Sequence, residues 1–324
     1  MANHLAKNLF TDKVEEIPTR NGYGEGLVEA GKANENVIVL CADLTESTRS
    51  LAFAEAYPKR FVEVGVAEQN MATLAAGFAM EGKIPFMSSY ATFSPGRNNE
   101  QIRTSIALNE SNVKIAGAHA GISVGPDGAT HQALEDIALM RVVPNMTVLV
   151  PCDYHETRKA TIAAAKHDGP VYLRFARAAT PVITTKSAPF EIGKAQILRE
   201  GKDVTLIASG PVLYEGLLAA EELEDIIDVE VINAATIKPF DQETLLASAK
   251  KTGAVVTLEE HQINGGLGSV VAETLGENLP TPMKRIGIQD RFGESGDPRR
   301  LLKEFGLTAP SIKKVIQQIH GRKK

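Results

Sequence analysis

A glutamate at the junction of an apolar run and an alanine-rich one is the first position where this sequence could do chemistry. Glu68 stands in GVAEQNMATLAAGFAM, and Ala72, Ala75, Ala76 and Ala79 follow at helical spacing, which predicts a small-sided helix opening at the carboxyl group. No lysine or arginine lies between Phe61 and Gly82, so Glu68 has no local cation. Burial there would raise its pKa, at about 1.4 kcal/mol per pH unit, and leave a carboxyl able to share a proton near neutral pH. It could equally be a first-turn carboxylate satisfied by the helix dipole. Further on, SSYATFSPGRNNEQIR carries Tyr90 and Phe93 ahead of a Pro95-Gly96 turn. Such aromatics either offer a flat face to a ring or fill a core.

The stretch AGAHAGISVGPDGATHQALED gathers four glycines with His119, Asp127 and His131. Glycines let backbone approach a ligand closely, and imidazoles exchange protons or bind hydroxyl and phosphate groups. The bland alternative has Asp127 or Thr130 capping a helix that begins near His131, with both imidazoles at the surface. The histidine spacing excludes HExxH and finger-type metal sites. Arg20, Arg174 and Arg177 could reach one edge of a sheet, where guanidinium forks suit phosphate; singly, each also reads as a surface ion-pair residue. EEHQINGGLGS has Gly265, Gly266 and Gly268 without the GxGxxG spacing, so a tight turn is the better reading than a dinucleotide site.

These positions need a scaffold. Short β-branched runs at 37–41, 61–64, 84–88, 113–117, 147–150 and 171–175 alternate with helical stretches at 24–33, 68–80, 99–108, 131–141 and 155–166. That alternation predicts a parallel sheet covered by helices on both faces, with ligands at the carboxyl ends of its strands. An irregular, proline-containing segment at 180–191 precedes a second alternation with strands at 204–208, 229–232, 255–258 and 284–288. The expected fold is therefore α/β, with two doubly wound domains: a polar leader at 1–17, a first domain at 18–185 and a smaller one at 186–324.

Composition narrows the function classes. The chain has 324 residues, 43% hydrophobic and 23% charged, which excludes disorder and collagen-like or coiled-coil architecture. A net charge of -5 with scattered lysines and arginines gives no footprint for nucleic acid. Cys41 and Cys152 are the only cysteines, too few for a disulfide framework or a four-cysteine zinc site, and a reducing cytoplasm is expected. No apolar stretch approaches the roughly 20 residues that span a bilayer, and MANHLAKNLF lacks a signal-peptide core. Neither membrane insertion nor secretion is expected, and the tail at 321–324 reads as solvated.

Taken together, GVAEQNMATLAAGFAMEG, GPDGATHQALEDIALMRVVPNM, EEHQINGGLGS and RFGESGDP resemble the C-terminal section of transketolase, from about Arg20 onward. The resemblance implies a pyrimidine-binding domain followed by a C-terminal domain of a thiamine-diphosphate enzyme. It implies that Glu68 contacts the coenzyme's aminopyrimidine and promotes formation of its nucleophilic carbanion, that Phe93 packs on that ring and that Asp43 lines the pocket. His119 and His131 would face the substrate and assist proton transfers, Asp127 would recognise the C2 hydroxyl, and Arg20, Ser47 and Arg177 would bind phosphate, with Arg174 a competitor for Arg177. The sequence contains no GDG with a downstream asparagine, the usual anchor for diphosphate and metal. An N-terminal partner subunit would therefore supply that site and its Mg2+, this chain holding no metal itself. The implied enzyme is a cytoplasmic split transketolase of the pentose phosphate pathway, two of each subunit, moving a two-carbon ketol unit between sugar phosphates. The alternatives are a subunit similar to 1-deoxyxylulose-5-phosphate synthase or to the β subunit of a 2-oxo acid dehydrogenase, or a noncatalytic regulatory subunit.

Overall fold

A computed structural model describes residues 4–322; residues 1–3 of the leader and 323–324 of the tail lie outside the described residues. The β-branched runs become strands buried end to end: Val37–Cys41, Lys114–Ala118 and Val171–Phe175 contain no exposed position. Alternation along a strand sends neighbours to opposite faces. Val37 and Val39 thus join one apolar layer with Tyr23 and Leu27, while Ile38 and Leu40 join another with Met71 and Ala72. Both faces are covered, which is why these runs read as largely hydrophobic, with Lys114 and Arg174 as buried charged exceptions.

The main sheet has seven strands in the order Thr236–Lys238, Thr147–Leu149, Val171–Phe175, Lys114–Ala118, Ile84–Tyr90, Val37–Cys41, Phe61–Glu63. Six of them are parallel. Their carboxyl ends therefore emerge on one edge, and register places Tyr90 beside Ala118 and Ala118 beside Phe175. The seventh is a surprise. Thr236–Lys238 comes from beyond the expected domain division and pairs antiparallel with Thr147–Leu149. A second sheet runs Met283–Ile288, Val255–Gln262, Val204–Ala208, Val229–Asn233, Gln196–Arg199, with the last strand antiparallel. The α/β architecture with two helix-covered sheets is as the sequence implies.

Helices Thr19–Ala33 and Tyr154–Lys166 cover one face of the main sheet, and Glu68–Met80 lies on the other. Gly22 lets the first two approach closely, because a Cβ there would lie 2.2 Å from the Tyr154 carbonyl oxygen. Several local expectations change. The helix expected over 131–141 begins only at Asp136, so neither Asp127 nor Thr130 caps it. The stretch 99–108 is one short α-turn, Asn99–Gln101, followed by a π-helix, Ile102–Ala107. The leader is not merely polar: Leu9 is fully buried in the second core, and Glu16–Pro18 pairs with Ala179–Pro181. Glu16–Pro18 and Ala179–Pro181 are three residues each, carry a proline apiece and lack an apolar run, so tertiary pairing creates them. Both cysteines are buried and unbridged.

Candidate active site

Glu68 is the first residue of its helix and only 2% exposed. No cation lies on its own segment, as the sequence shows, but one arrives from elsewhere: Arg97 Nη1 donates to Glu68 Oε2 at 2.7 Å. The cation arrives from the turn after the neighbouring strand, 29 residues away, which a search of local sequence could not find. The same guanidinium lies over the Phe93 ring, 4.7 Å from its centroid. Asn98 Nδ2 holds the turn in place by donating to the Glu68 carbonyl at 3.0 Å and to Ser94 Oγ at 3.1 Å.

Around this pair the strand ends deliver a ring cluster. Tyr90 stacks on His119 with centroids 4.1 Å apart, and Phe93 meets His131 edge-on at 5.4 Å. The Tyr90 hydroxyl hydrogen-bonds Ser47 Oγ at 2.7 Å. Arg20 Nη1 donates to the Ser47 carbonyl at 3.0 Å and approaches His119 Nε2 at 3.4 Å. Since guanidinium can only donate, Nε2 accepts and the imidazole proton sits on Nδ1. That Nδ1, like Arg20 Nε, is buried with no hydrogen-bond partner among the described residues. Burial, with Arg20, Arg177 and Arg49 nearby, pushes the His119 pKa down to about 3, so the ring is neutral at ordinary pH. His119 also holds a left-handed φ of +53°, and Asp43 one of +59°. Such strain in non-glycine residues collects at functional sites.

The loop from Gly121 to His131 is braced from behind. Gly121, at φ +88°, lies where a Cβ would meet Glu260 Oε1 at 2.3 Å, and that carboxylate accepts from the Ser123 N–H at 2.6 Å. Gln132 Nε2 donates to the carbonyls of Ile122, Gly125 and Glu294, and Ser295 Oγ donates to that of Pro126. RFGESGDP in the second half of the chain thus supports the loop that carries Asp127 and His131. Thr130 Oγ1 hydrogen-bonds His131 Nδ1 at 2.9 Å.

The arginines separate clearly. Arg174 is 4% exposed and committed inward: its Nε donates to Asp136 Oδ2 at 2.8 Å and its Nη2 to the Glu260 carbonyl at 2.9 Å. Tyr172 donates its hydroxyl to the same carboxylate oxygen at 2.7 Å. Arg174 therefore leaves the expected trio. Arg177 is partly exposed, 3.5 Å from Asp127 Oδ1, with Nη1 donating to the Val124 carbonyl at 3.0 Å. Its companions are Arg20 and Arg49, close enough that both lower the His119 pKa and that Arg49 and Arg177 both lower that of Arg20. Arg20, Asp43, Ser47 and Arg49 line one cleft of about 420 Å³. Asp43 is exposed at its rim, its N–H donating to Glu63 Oε1 at 2.7 Å.

Sequence reasoning thus named Glu68, Phe93, His119, His131, Arg20 and Ser47, all brought to one edge, but it missed Arg97, Arg49 and the bracing Gln132, and left Tyr90 without a role. Tyr90 was visible as a strand-terminal aromatic, and Arg49 as a cation two residues past Ser47. Arg97 carried no signal beyond its place in the turn. The GGLG segment folds onto its own strand, with Glu259 accepting from the N–H groups of Leu267 and Gly268 at 2.7 and 2.8 Å. Among the described residues no cluster of three or more His, Cys, Asp or Glu side chains could hold a metal ion, and no helix is long and apolar enough to cross a membrane.

Buried Glu68 and the stacked aromatics thus stand at one edge of a parallel α/β domain that is tied to a second α/β unit. Residues 15–182 match the model of the transketolase pyrimidine binding domain, and residues 193–312 that of the transketolase C-terminal domain. A Methanocaldococcus jannaschii protein named as a transketolase C-terminal section is 49% identical, covering 92% of this chain and 95% of its own. A 6-deoxy-6-sulfo-D-fructose transketolase subunit from a Clostridium species is 44% identical, covering 97% and 98%. The solved structure of a split gene transketolase, an inactive beta4 tetramer, superposes with a TM-score of 0.89 at 48% identity, over 95% of this chain and 100% of that one. The chain belongs to the transketolase family of thiamine-dependent transferases and carries the two domains of its C-terminal section.

Proposed function

We propose that this chain is the C-terminal half of a cytoplasmic two-subunit transketolase, which moves a two-carbon ketol unit from a ketose phosphate to an aldose phosphate. The observation that carries this reading is the seat made by Glu68 and Phe93. It already holds a cation, with one N–H on the carboxylate and its central carbon over the ring, the two positions at which an aminopyrimidine would bond and pack. Thiamine diphosphate, when bound, supplies the carbon nucleophile and the electron sink. Glu68 would hold a proton at the pyrimidine nitrogen, Phe93 would fix the ring and Asp43 would border the pocket.

Neutral His119 holds a proton at Nδ1 for a sugar oxygen, His131 stands across the ring cluster, and Asp127 accepts from the C2 hydroxyl. Arg20, Ser47 and Arg177, joined by Arg49, would take the terminal phosphate. The same guanidinium groups also suit a sulfonate, the acidic group of the sulfofructose that the Clostridium relative is named for. The N-terminal partner would bring the diphosphate site and Mg2+. Two copies of each subunit is the arrangement favoured by symmetric closure. The division between domains is proposed at 185/186, with the strand Thr236–Lys238 crossing it.

The test is reconstitution. With a separately encoded N-terminal subunit, thiamine diphosphate and Mg2+, the chain is expected to use xylulose 5-phosphate as donor and to ignore pyruvate. Glu68→Ala is expected to cut turnover at least about 100-fold, the scale of a lost acid–base group. Full ketol transfer by the chain without a partner would refute the split arrangement, and pyruvate as the preferred donor would favour the synthase-like alternative. Turnover untouched by Glu68→Ala would leave the noncatalytic reading.

A further inference from the structure

Arg97 is a charged member of the edge cluster that the proposed reaction does not use. Its guanidinium touches the two groups that would hold the coenzyme's ring: Glu68 Oε2 at 2.7 Å and the Phe93 face at 4.7 Å. It makes no second side-chain hydrogen bond among the described residues. The two ends of the ion pair differ sharply in exposure, 47% for the arginine side chain and 2% for the glutamate. Glu68 is therefore fixed, while Arg97 can turn into solvent about its own side-chain bonds. Its backbone stays anchored by the N–H bond to the Phe93 carbonyl at 2.9 Å.

We propose that Arg97 is an internal occupant of the pyrimidine seat, a counter-ion that shields Glu68 in the unassembled subunit and that the coenzyme displaces. The inference rests on the reading of Glu68 and Phe93 given above. Its physical basis is the cost of a buried carboxylate without a partner, which exceeds that of exposing a guanidinium. Before assembly the arginine meets that cost. On binding, the aminopyrimidine must win both contacts from it, so Arg97 weakens coenzyme affinity while stabilising the chain alone. A merely structural residue would not act on the two quantities with opposite signs.

The experiment compares wild type, Arg97→Ala, Arg97→Gln and Glu68→Gln, each as the chain alone in thermal melts and paired with the N-terminal subunit in equilibrium dialysis against thiamine diphosphate and Mg2+. Both Arg97 variants are expected to melt lower than wild type alone. Paired, they are expected to bind the coenzyme about five- to tenfold more tightly, the scale of one partly exposed ion pair and its ring contact. Glu68→Gln is expected to weaken binding and abolish turnover. If both Arg97 variants bind as wild type does, or more weakly, while Glu68→Gln behaves as expected, the displacement idea alone is overturned. If Glu68→Gln changes neither binding nor turnover, or if the wild-type pair takes up no coenzyme, the functional reading falls and this inference with it.

Discussion

Arg174 and Arg177 lie three residues apart at one strand end, and the structure assigns them opposite fates that a paired substitution can test. Arg174→Ala removes the partner of Asp136, a carboxylate only 1% exposed whose Oδ2 also accepts from Tyr172. It leaves the Glu260 carbonyl without its donor as well. Breaking a buried ion pair from one side costs about 3–5 kcal/mol, because the remaining charge is stranded. That is a large part of the roughly 5–15 kcal/mol by which folded proteins are stable. Arg177→Ala breaks a 3.5 Å contact between side chains 38% and 33% exposed, worth under about 1 kcal/mol after solvent screening, and a part-buried hydrogen bond to the Val124 carbonyl worth about 1 kcal/mol. Its effect should fall on the substrate instead, raising the KM for a phosphorylated donor by roughly 10-fold or more, as expected for a lost charge-assisted hydrogen bond. Urea unfolding of the isolated variants and donor titration of the reconstituted pair read the two effects separately. If Arg177→Ala destabilised the fold more than Arg174→Ala, or if Arg174→Ala unfolded within about 1 kcal/mol of wild type, the burial argument would be wrong.

Two pH effects follow from buried groups. His119, with its folded pKa near 3, stays neutral while unfolded chains protonate it below about 6.5. Wild-type stability should therefore fall as pH drops from 6.5 towards 3, by up to about 1.4 kcal/mol per unit from this group, and His119→Asn should flatten that slope; identical slopes would refute the assignment. Glu156 shows the opposite sign. Burial and Asp153 push its pKa up to about 7, and it accepts from Asn233 Nδ2 at 2.7 Å, which joins the two halves of the chain. The folded state thus holds this proton longer than the unfolded state, and stability is lost as pH rises from about 4.5 through 7. Glu156→Gln should gain on wild type by about 1–3 kcal/mol in urea unfolding at pH 8 compared with pH 5, whereas a difference independent of pH would count against it.

Much of the scaffold was legible because its strands are buried on both faces. Val37–Cys41 and Val204–Ala208 appear as unbroken β-branched or apolar runs because they exclude water over their whole length, Val171–Phe175 departs from this only at Arg174, and Glu68–Met80 appears as a helix whose alanines line its buried face. The illegible elements are short or paired to distant partners. Glu16–Pro18 and Thr236–Lys238 exist only because Ala179–Pro181 and Thr147–Leu149 offer open edges. The segment 131–135 was read as helical from its composition, yet Gln132 bonds the loop behind it and the helix waits until Asp136.

By itself the sequence determined that parallel strands would bring Glu68, Phe93, His119 and Arg20 to a common edge, because strand direction and burial follow from local patterning. Only the tertiary structure decided how the charges pair: Arg97 with Glu68, Arg174 with Asp136, and Arg49 rather than Arg174 beside Arg20. Those pairings depend on which strands are neighbours and which way each strand end turns. Such long-range geometry leaves no periodicity in the chain.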